Sequence, residues 1–297
     1  VRAPQFQAEE PPTSGAAEPA APPYEPVDAR SPPPWAPIDP DTLRSAVRTF
    51  DLLARYHRLE VRGLERVPEG PALFVGNHNG GLNPVDGLFL IHYYRRFGYD
   101  KPIYVLAHDI LFSVPRIARV LGSVGIVPAH RDSARALLEA GHKVLVFPGG
   151  DIENLRPFTA RRRVVLGGRQ GFARLALKTG VPIVPVVGAG NHEILVVLSQ
   201  GRRLARLIGA DRLARVHSIP LIFALPWGLL FGPMAALPYL PLPAKITVQI
   251  GHPIEAAAWE DMSDPEALAD QLYVQTEQVM QYMLTELYQE RLLPIIG

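Results

Sequence analysis

The chain contains no cysteine. That absence excludes disulfides, thiolate metal ligation and any covalent cysteine mechanism. Neither sign of charge is in excess: 30 Lys and Arg against 29 Asp and Glu leave a formal net charge of +1, and no general attraction for nucleic acid follows. Helix-turn-helix, zinc-finger and RNA-binding signatures are missing, so no nucleic-acid partner is expected. The first residues lack the basic start and apolar run of a secretory signal, and none is expected there. A serine-hydrolase elbow fails at Leu121, which occupies the place of the first glycine of G-x-S-x-G. Asn191-His192-Glu193 fails as a zinc motif, because Val196 stands where H-E-x-x-H needs its second histidine.

Long uncharged runs are also scarce, with one exception at residues 219–243. Its length would span a bilayer, which takes roughly 20 apolar residues as a helix. Pro226, Pro233, Pro238, Pro241 and Pro243 spoil that reading, since each removes a backbone donor and interrupts a helix. The segment is expected to form an apolar loop-and-helix cap that lines a lipid site or dips into a membrane interface. Plain core filling is the alternative.

What remains is a chain of 297 residues, 47% hydrophobic and 20% charged, which suits an α/β domain with a substantial core. Residues 1–40 are rich in Pro, Ala and Glu and are expected to form a disordered tail. The domain is expected at 41–297. It opens with Leu43, Val47, Phe50, Leu53 and Tyr56 at helical spacing, a surface helix packed on the domain in preference to one lying on a membrane. Strands are expected at 72–75, 103–107, 124–127, 143–147, 181–188 and 245–250. Helices fit 111–121, 133–140, 171–178 and a final stretch from Ser263. This alternation predicts a mostly parallel central sheet flanked by helices. The two prolines within 181–188 suggest a strand at the sheet margin.

The stretch Pro71 to Leu90 carries the chemistry. His78 falls where the strand 72–75 hands over to a helix expected to start at Asn83-Pro84, so it sits at the carboxyl edge of the sheet, where open α/β folds collect ligands. A neutral imidazole there can take a proton from a hydroxyl if a carboxylate fixes its tautomer. Asp86 is the nearest carboxylate downstream. It has a rival role, closing an N-x-x-D cap on the new helix. Gly149-Gly150 ends the strand 143–147 and is expected to share the edge with His78.

Four ordered segments, GNHNGG…D at 76–86, GIVPAHR at 125–131, FPGGDIE at 147–153 and VPIVPV at 181–186, together resemble the blocks of the lysophospholipid acyltransferase superfamily over roughly residues 60–255. The resemblance implies transfer of a fatty acyl group from acyl-CoA or acyl carrier protein to a glycerolipid or long-chain alcohol hydroxyl, without a metal or bound cofactor. It places the enzyme peripherally on the cytoplasmic face of a membrane, where a lipid acceptor is its partner. His78 and Asp86 become the catalytic pair, and Asn77, Gly80, Gly81, Arg131, Gly149, Gly150 and Glu153 the substrate-binding positions, with Gly149-Gly150 offering oxyanion donors. The match departs from the family pattern at two places. The position expected for the partner Asp holds Asn83, so Asp86 is displaced. In the third block Gly149 replaces Glu, and Ile152 stands where a phosphate-binding Arg is expected, as in the branch containing diacylglycerol acyltransferases and phytyl ester synthases. A neutral acceptor is therefore expected. The alternatives are a 1-acylglycerol-3-phosphate acyltransferase making phosphatidic acid, a non-catalytic lipid- or CoA-binding protein, and a thioesterase-like hydrolase using the same histidine.

Overall fold

The computed structural model describes residues 37–79, 81, 83–201, 219–256 and 264–297. Residues 1–36 of the tail expected at 1–40, and the substrate position expected at Gly80, lie outside the described residues.

A seven-stranded sheet in the order β1-β10-β6-β2-β5-β3-β4 forms the centre. Its strands are β1 (Glu60–Arg62), β2 (Ala72–Gly76), β3 (Ile103–Ala107), β4 (Ile126–Pro128), β5 (Lys143–Val146), β6 (Ile183–Ala189) and β10 (Thr247–Ile250). The run from β6 to β4 is parallel throughout. β10 pairs antiparallel with β6 and carries β1 parallel to itself. Every residue of β2 and β6 is buried, as strands covered on both faces must be.

Around the sheet lie α1 (Pro40–Tyr56), α2 (Phe89–Phe97), α3 (Pro115–Ser123), α4 (Arg131–Glu139), α6 (Gly171–Thr179) and α7 (Pro265–Gln289), with the short α5 (Gly150–Asn154) at the sheet edge. One apolar cluster joins α1 and α2 to Phe74, Leu145, Val184 and Val248. A second joins α4, α6 and α7 to Leu73, Val75, Val144 and Ile183 on the opposite face. Alternate residues of β2 thus feed opposite layers, the period of two expected of a strand. α1 packs Leu43, Val47 and Ala54 inward and leaves Phe50 exposed. Its start is fixed by Asp39, whose carboxylate accepts from the Asp41 and Thr42 N–H groups, with Pro40 in the first turn. Asp264 and Pro265 repeat this arrangement on α7.

Two expectations are corrected. β6 is central, not marginal. Pro185 is tolerated because its carbonyl faces β10 and accepts from Gly251 N–H just past the end of that strand, so its missing N–H falls where the ladder has stopped. The apolar segment 219–243 is not a loop-and-helix cap. It folds as β8 (Leu221–Ala224) and β9 (Gly228–Phe231), an antiparallel hairpin that joins β7 (Val196–Ser199) in a second sheet, followed by a 3-10 turn at Gly232–Ala236.

Candidate active site

The site gathers at the carboxyl ends of β2, β5 and β6. β2 ends at Gly76, whose hydrogen faces the Phe147 ring; a Cβ there would come within 2.5 Å of it. The chain then turns through Asn77, His78 and Asn79. His78 stacks on Phe147 with ring centroids 5.2 Å apart. Its side chain is 30% exposed, whereas Asp86 is 6% exposed, and His78 Nδ1–H donates to Asp86 Oδ2 over 2.8 Å. That bond leaves Nε2 as the unprotonated nitrogen of a neutral ring.

Asp86 is held from four directions. Oδ2 also accepts from Asn79 N–H at 2.6 Å, and Oδ1 accepts from Asn79 Nδ2 at 3.2 Å and Asn191 Nδ2 at 2.7 Å. It is therefore not a helix cap. A 3-10 turn at Val85–Gly87 carries it, the turn has no side-chain cap, and the regular helix begins only at Phe89. The expected helix start at Asn83-Pro84 is corrected accordingly. The longer connection passes through Gly81 in the left-handed region, φ +60, and Asn154 clamps it by accepting from Gly81 N–H at 2.8 Å and donating to Gly81 O at 3.0 Å.

The remaining expected positions divide. Asn77 is 3% exposed, and its side-chain amide both donates to and accepts from the Gly188 backbone, tying β2 to β6. Glu153 is fully buried; its Oε2 accepts from His78 N–H at 2.8 Å and its Oε1 from Val165 N–H at 3.0 Å. Both side chains bond the backbone, so they hold the site's shape. Gly149 has no room for a Cβ, which would lie 2.3 Å from Val165 O. Gly150 N–H is already donated to Phe147 O within the turn, so it does not face an oxyanion. Arg131 opens α4 behind β4, three strands from β2, roughly 14 Å at the usual strand spacing.

Several residues at the centre were not foreseen. Arg156, 3% exposed, donates from Nη1 to His78 O at 3.0 Å and Glu153 O at 2.8 Å, and from Nη2 to Asn79 Oδ1 at 2.6 Å. Burial pushes the Glu153 carboxyl up to about 7, against the opposing pull of Arg156 and the two N–H donors. Arg156 O faces His192 Nε2 at 2.7 Å, and burial drives His192 down to about 3, a neutral ring. Asn191-His192-Glu193, dismissed as a metal motif, thus contributes Asn191 to Asp86, His192 to Arg156 and Glu193 to a buried pair with Arg291 at 2.5 Å. Of the arginine run 161–163, Arg161 turns inward, stacking on Phe158 and lying 3.5 Å from Glu193, while Arg162 and Arg163 are exposed.

With Nδ1 tied to a carboxylate and Nε2 directed away from that bond on a partly exposed ring, this arrangement can take a proton from a bound hydroxyl and return it to a leaving group. Residues 58–188 match the family model described as Acyltransferase. An uncharacterized protein of Mycobacterium tuberculosis is 34% identical over 249 residues, 82% of this chain and 65% of that protein. The "DGAT1/2-independent enzyme synthesizing storage lipids" of Bos taurus is 28% identical over 233 residues, 78% of this chain and 60% of that protein. The chain therefore spans less than two thirds of the length of these relatives. Among solved structures, the 1-acyl-sn-glycerophosphate (LPA) acyltransferase PlsC of Thermotoga maritima superposes with a TM-score of 0.52 at 19% identity, covering 84% of this chain and 80% of that one, a likeness of fold. The acyltransferase match thus lies on residues 58–188, and the fold that carries it is shared with PlsC.

Proposed function

We propose that this protein transfers a fatty acyl group from an acyl thioester, acyl-CoA or acyl carrier protein, to the hydroxyl of a membrane-dissolved neutral lipid, a diacylglycerol-like or long-chain alcohol. The observation that carries the reading is the His78–Asp86 contact at 2.8 Å on a ring still 30% exposed. His78 Nε2 takes the hydroxyl proton as the oxygen attacks the thioester carbonyl. The C–O bond forms, the tetrahedral intermediate collapses, the C–S bond breaks, and the imidazolium returns its proton to the departing thiolate. Asp86 fixes the tautomer and stabilises the transient imidazolium.

The neutral acceptor is supported by what the cations are doing. The position that would hold a phosphate-binding Arg is Ile152, and Arg156, one turn further on, is buried in bonds to His78 O and Asn79. The second reading, acylation of 1-acylglycerol-3-phosphate, draws on Arg131, exposed on the same sheet edge. Initial rates of thiol release are to be compared for diacylglycerol, a long-chain alcohol, lysophosphatidic acid and no acceptor, with wild type, His78→Ala and Arg131→Ala. The proposal expects acceptor-dependent release that is lost in His78→Ala and indifferent to Arg131→Ala. A lysophosphatidic acid preference that collapses in Arg131→Ala establishes the second reading. Equal release without acceptor establishes a hydrolase, and binding of acyl-CoA without turnover establishes a non-catalytic binding protein.

A further inference from the structure

Resting on the acyl-transfer reading, we propose that the edge of the sheet bearing His78 seats on an anionic lipid bilayer through two separate apolar surfaces that flank the site.

The first surface is the outer face of the β7-β8-β9 sheet. Antiparallel strands with one buried face ordinarily show polar side chains on the other. Here Ile222, Ala224 and Leu230 are buried, while their outward neighbours Leu221, Phe223, Leu229 and Phe231 are apolar and exposed, Leu229 and Phe231 by 60% or more. The register pairs Leu221 with Phe231 and Phe223 with Leu229, so the four make one contiguous patch. Trp227 stands in the connecting turn, 55% exposed, with its ring N–H bonded to Pro238 O. No Asp, Glu, Lys or Arg occurs in residues 219–243.

The second surface follows β3. α3 and the 3-10 turn before it, Asp109–Phe112, bury no residue. Ile110, Val114, Ile117 and Val120 are 48–70% exposed; Ile117 and Val120, three apart, share a face of α3, with Ile110 in the turn and Val114 at the cap before it. Arg116 and Arg119 are exposed beside it. The acid of this segment, Asp109, lies 3.5 Å from His130.

Topology places the His78 loop between these surfaces. The second sheet leaves the carboxyl end of β6, one strand to one side of β2, and the 109–123 segment leaves the carboxyl end of β3, two strands to the other. Gly81 is in close approach to Leu195 and Tyr239, and Gln200 donates to Ile152 O, so the second sheet is fastened to the loops of the site. The occupant must accept greasy side chains on both flanks and arginines on one, yet deliver an apolar substrate to the gap. A bilayer with anionic headgroups meets all of these, with Trp227 at the headgroup level such rings favour. A second copy covering both surfaces would close the gap to its own acceptor.

The test is flotation of the full chain, with no acyl donor, on vesicles of phosphatidylcholine alone and of phosphatidylcholine mixed with phosphatidylglycerol. Leu229→Ser/Phe231→Ser and Ile110→Ser/Ile117→Ser should each weaken partition roughly tenfold or more on both compositions. Arg116→Glu/Arg119→Glu should weaken it only on the anionic vesicles. All three should keep wild-type thiol release with a short-chain water-soluble alcohol. If the hairpin pair fails to fold, the helical pair decides. Unchanged flotation in the folded variants overturns the proposal, as does a wild-type dimer that these substitutions dissociate without affecting vesicle binding. A chain that floats through these residues but transfers no acyl group to any acceptor removes the activity reading and leaves the surface standing.

Discussion

Replacing Asp86 by Asn changes one atom and tests the whole site. The carboxylate accepts four hydrogen bonds, two on each oxygen. An amide offers one accepting side. If its oxygen stays toward His78 and Asn79 N–H, its NH2 meets the side-chain amides of Asn79 and Asn191. Asn191 can turn over at little cost, because its Oδ1 is buried without a partner. Asn79 cannot, because its Oδ1 already accepts from Arg156. One buried donor is then left facing another, at a cost of about 1–3 kcal/mol. If instead the NH2 turns toward His78, Nδ1 must become the acceptor, Nε2 carries the proton, and the base is gone.

Either orientation removes the charge that stabilises imidazolium, and the rate should fall about 10²–10⁴-fold. Thiol release in the presence of a saturating acceptor measures it, with urea unfolding as the control for the smaller stability loss. Because the two residues act as a unit, His78→Ala/Asp86→Asn should be no slower than His78→Ala alone. A folded Asp86→Asn protein within threefold of wild type, or a double variant that multiplies the two losses, refutes the pairing.

Two further outcomes follow from the charges beneath the loop. Arg156→Ala strands the buried Glu153 without its neighbouring cation and should cost about 3–5 kcal/mol in urea unfolding; Arg156→Lys, if Arg156 acts by positioning His78, should restore folding while kcat falls and KM holds. Burial pushes the Glu153 carboxyl up to about 7 from an ordinary 4.5, so between those values the native state binds the extra proton. Its contribution favours folding below pH 4.5 and is lost as pH rises through 7, a swing of about 3 kcal/mol. Unfolding free energies at pH 5 and pH 8 should show most of that swing in wild type and lack it in Glu153→Gln; parallel pH dependence in the two proteins refutes the assignment.

How far the sequence could be read depended on whether the signal was local. β2, β3 and β5 were visible as short apolar runs and fell within a residue of the structure, because buried parallel strands need nothing but such runs. The β8–β9 hairpin was not visible. Its outward face is as apolar as its inward one, so the alternation that announces a half-buried strand is erased. Its prolines read as helix breakers, whereas Pro226 sits in the hairpin connection and Pro233 begins the next turn. His78 and its sheet edge were legible from strand and loop punctuation. Asp86 was ambiguous between partner and cap, and only the 3-10 turn that swings it back toward the strand end decides in favour of the partner. Asn191 reaches Asp86 from 105 positions away and Arg156 reaches Asn79 from 77. No spacing rule along the chain encodes such a contact.

The two departures from the family pattern, the displaced Asp and the altered third block, turn out to be mechanically connected. Asn79 is the link: its Nδ2 donates to Asp86 Oδ1 and its Oδ1 accepts from Arg156. Arg156 also holds His78 O, while Glu153 holds His78 N–H. The N–H of His78 is thus held by Glu153 on α5 and its carbonyl by Arg156 just past that helix, and the carboxylate behind its ring is held by Asn79 beside it. A guanidinium used this way is 3% exposed and has no face left for a ligand. The longer loop that moves the carboxylate to position 86 therefore goes with a cation turned inward to brace that loop. With its guanidinium turned inward, Arg156 offers no charge to a phosphate-bearing acceptor, as the neutral-acceptor proposal expects. Under that proposal, substituting Ile152 by Arg should not by itself confer use of lysophosphatidic acid, since Glu153 and Arg156 nearby stay committed to the peptide groups of His78. Conversion would require Arg131 to supply the contact from the other end of the edge.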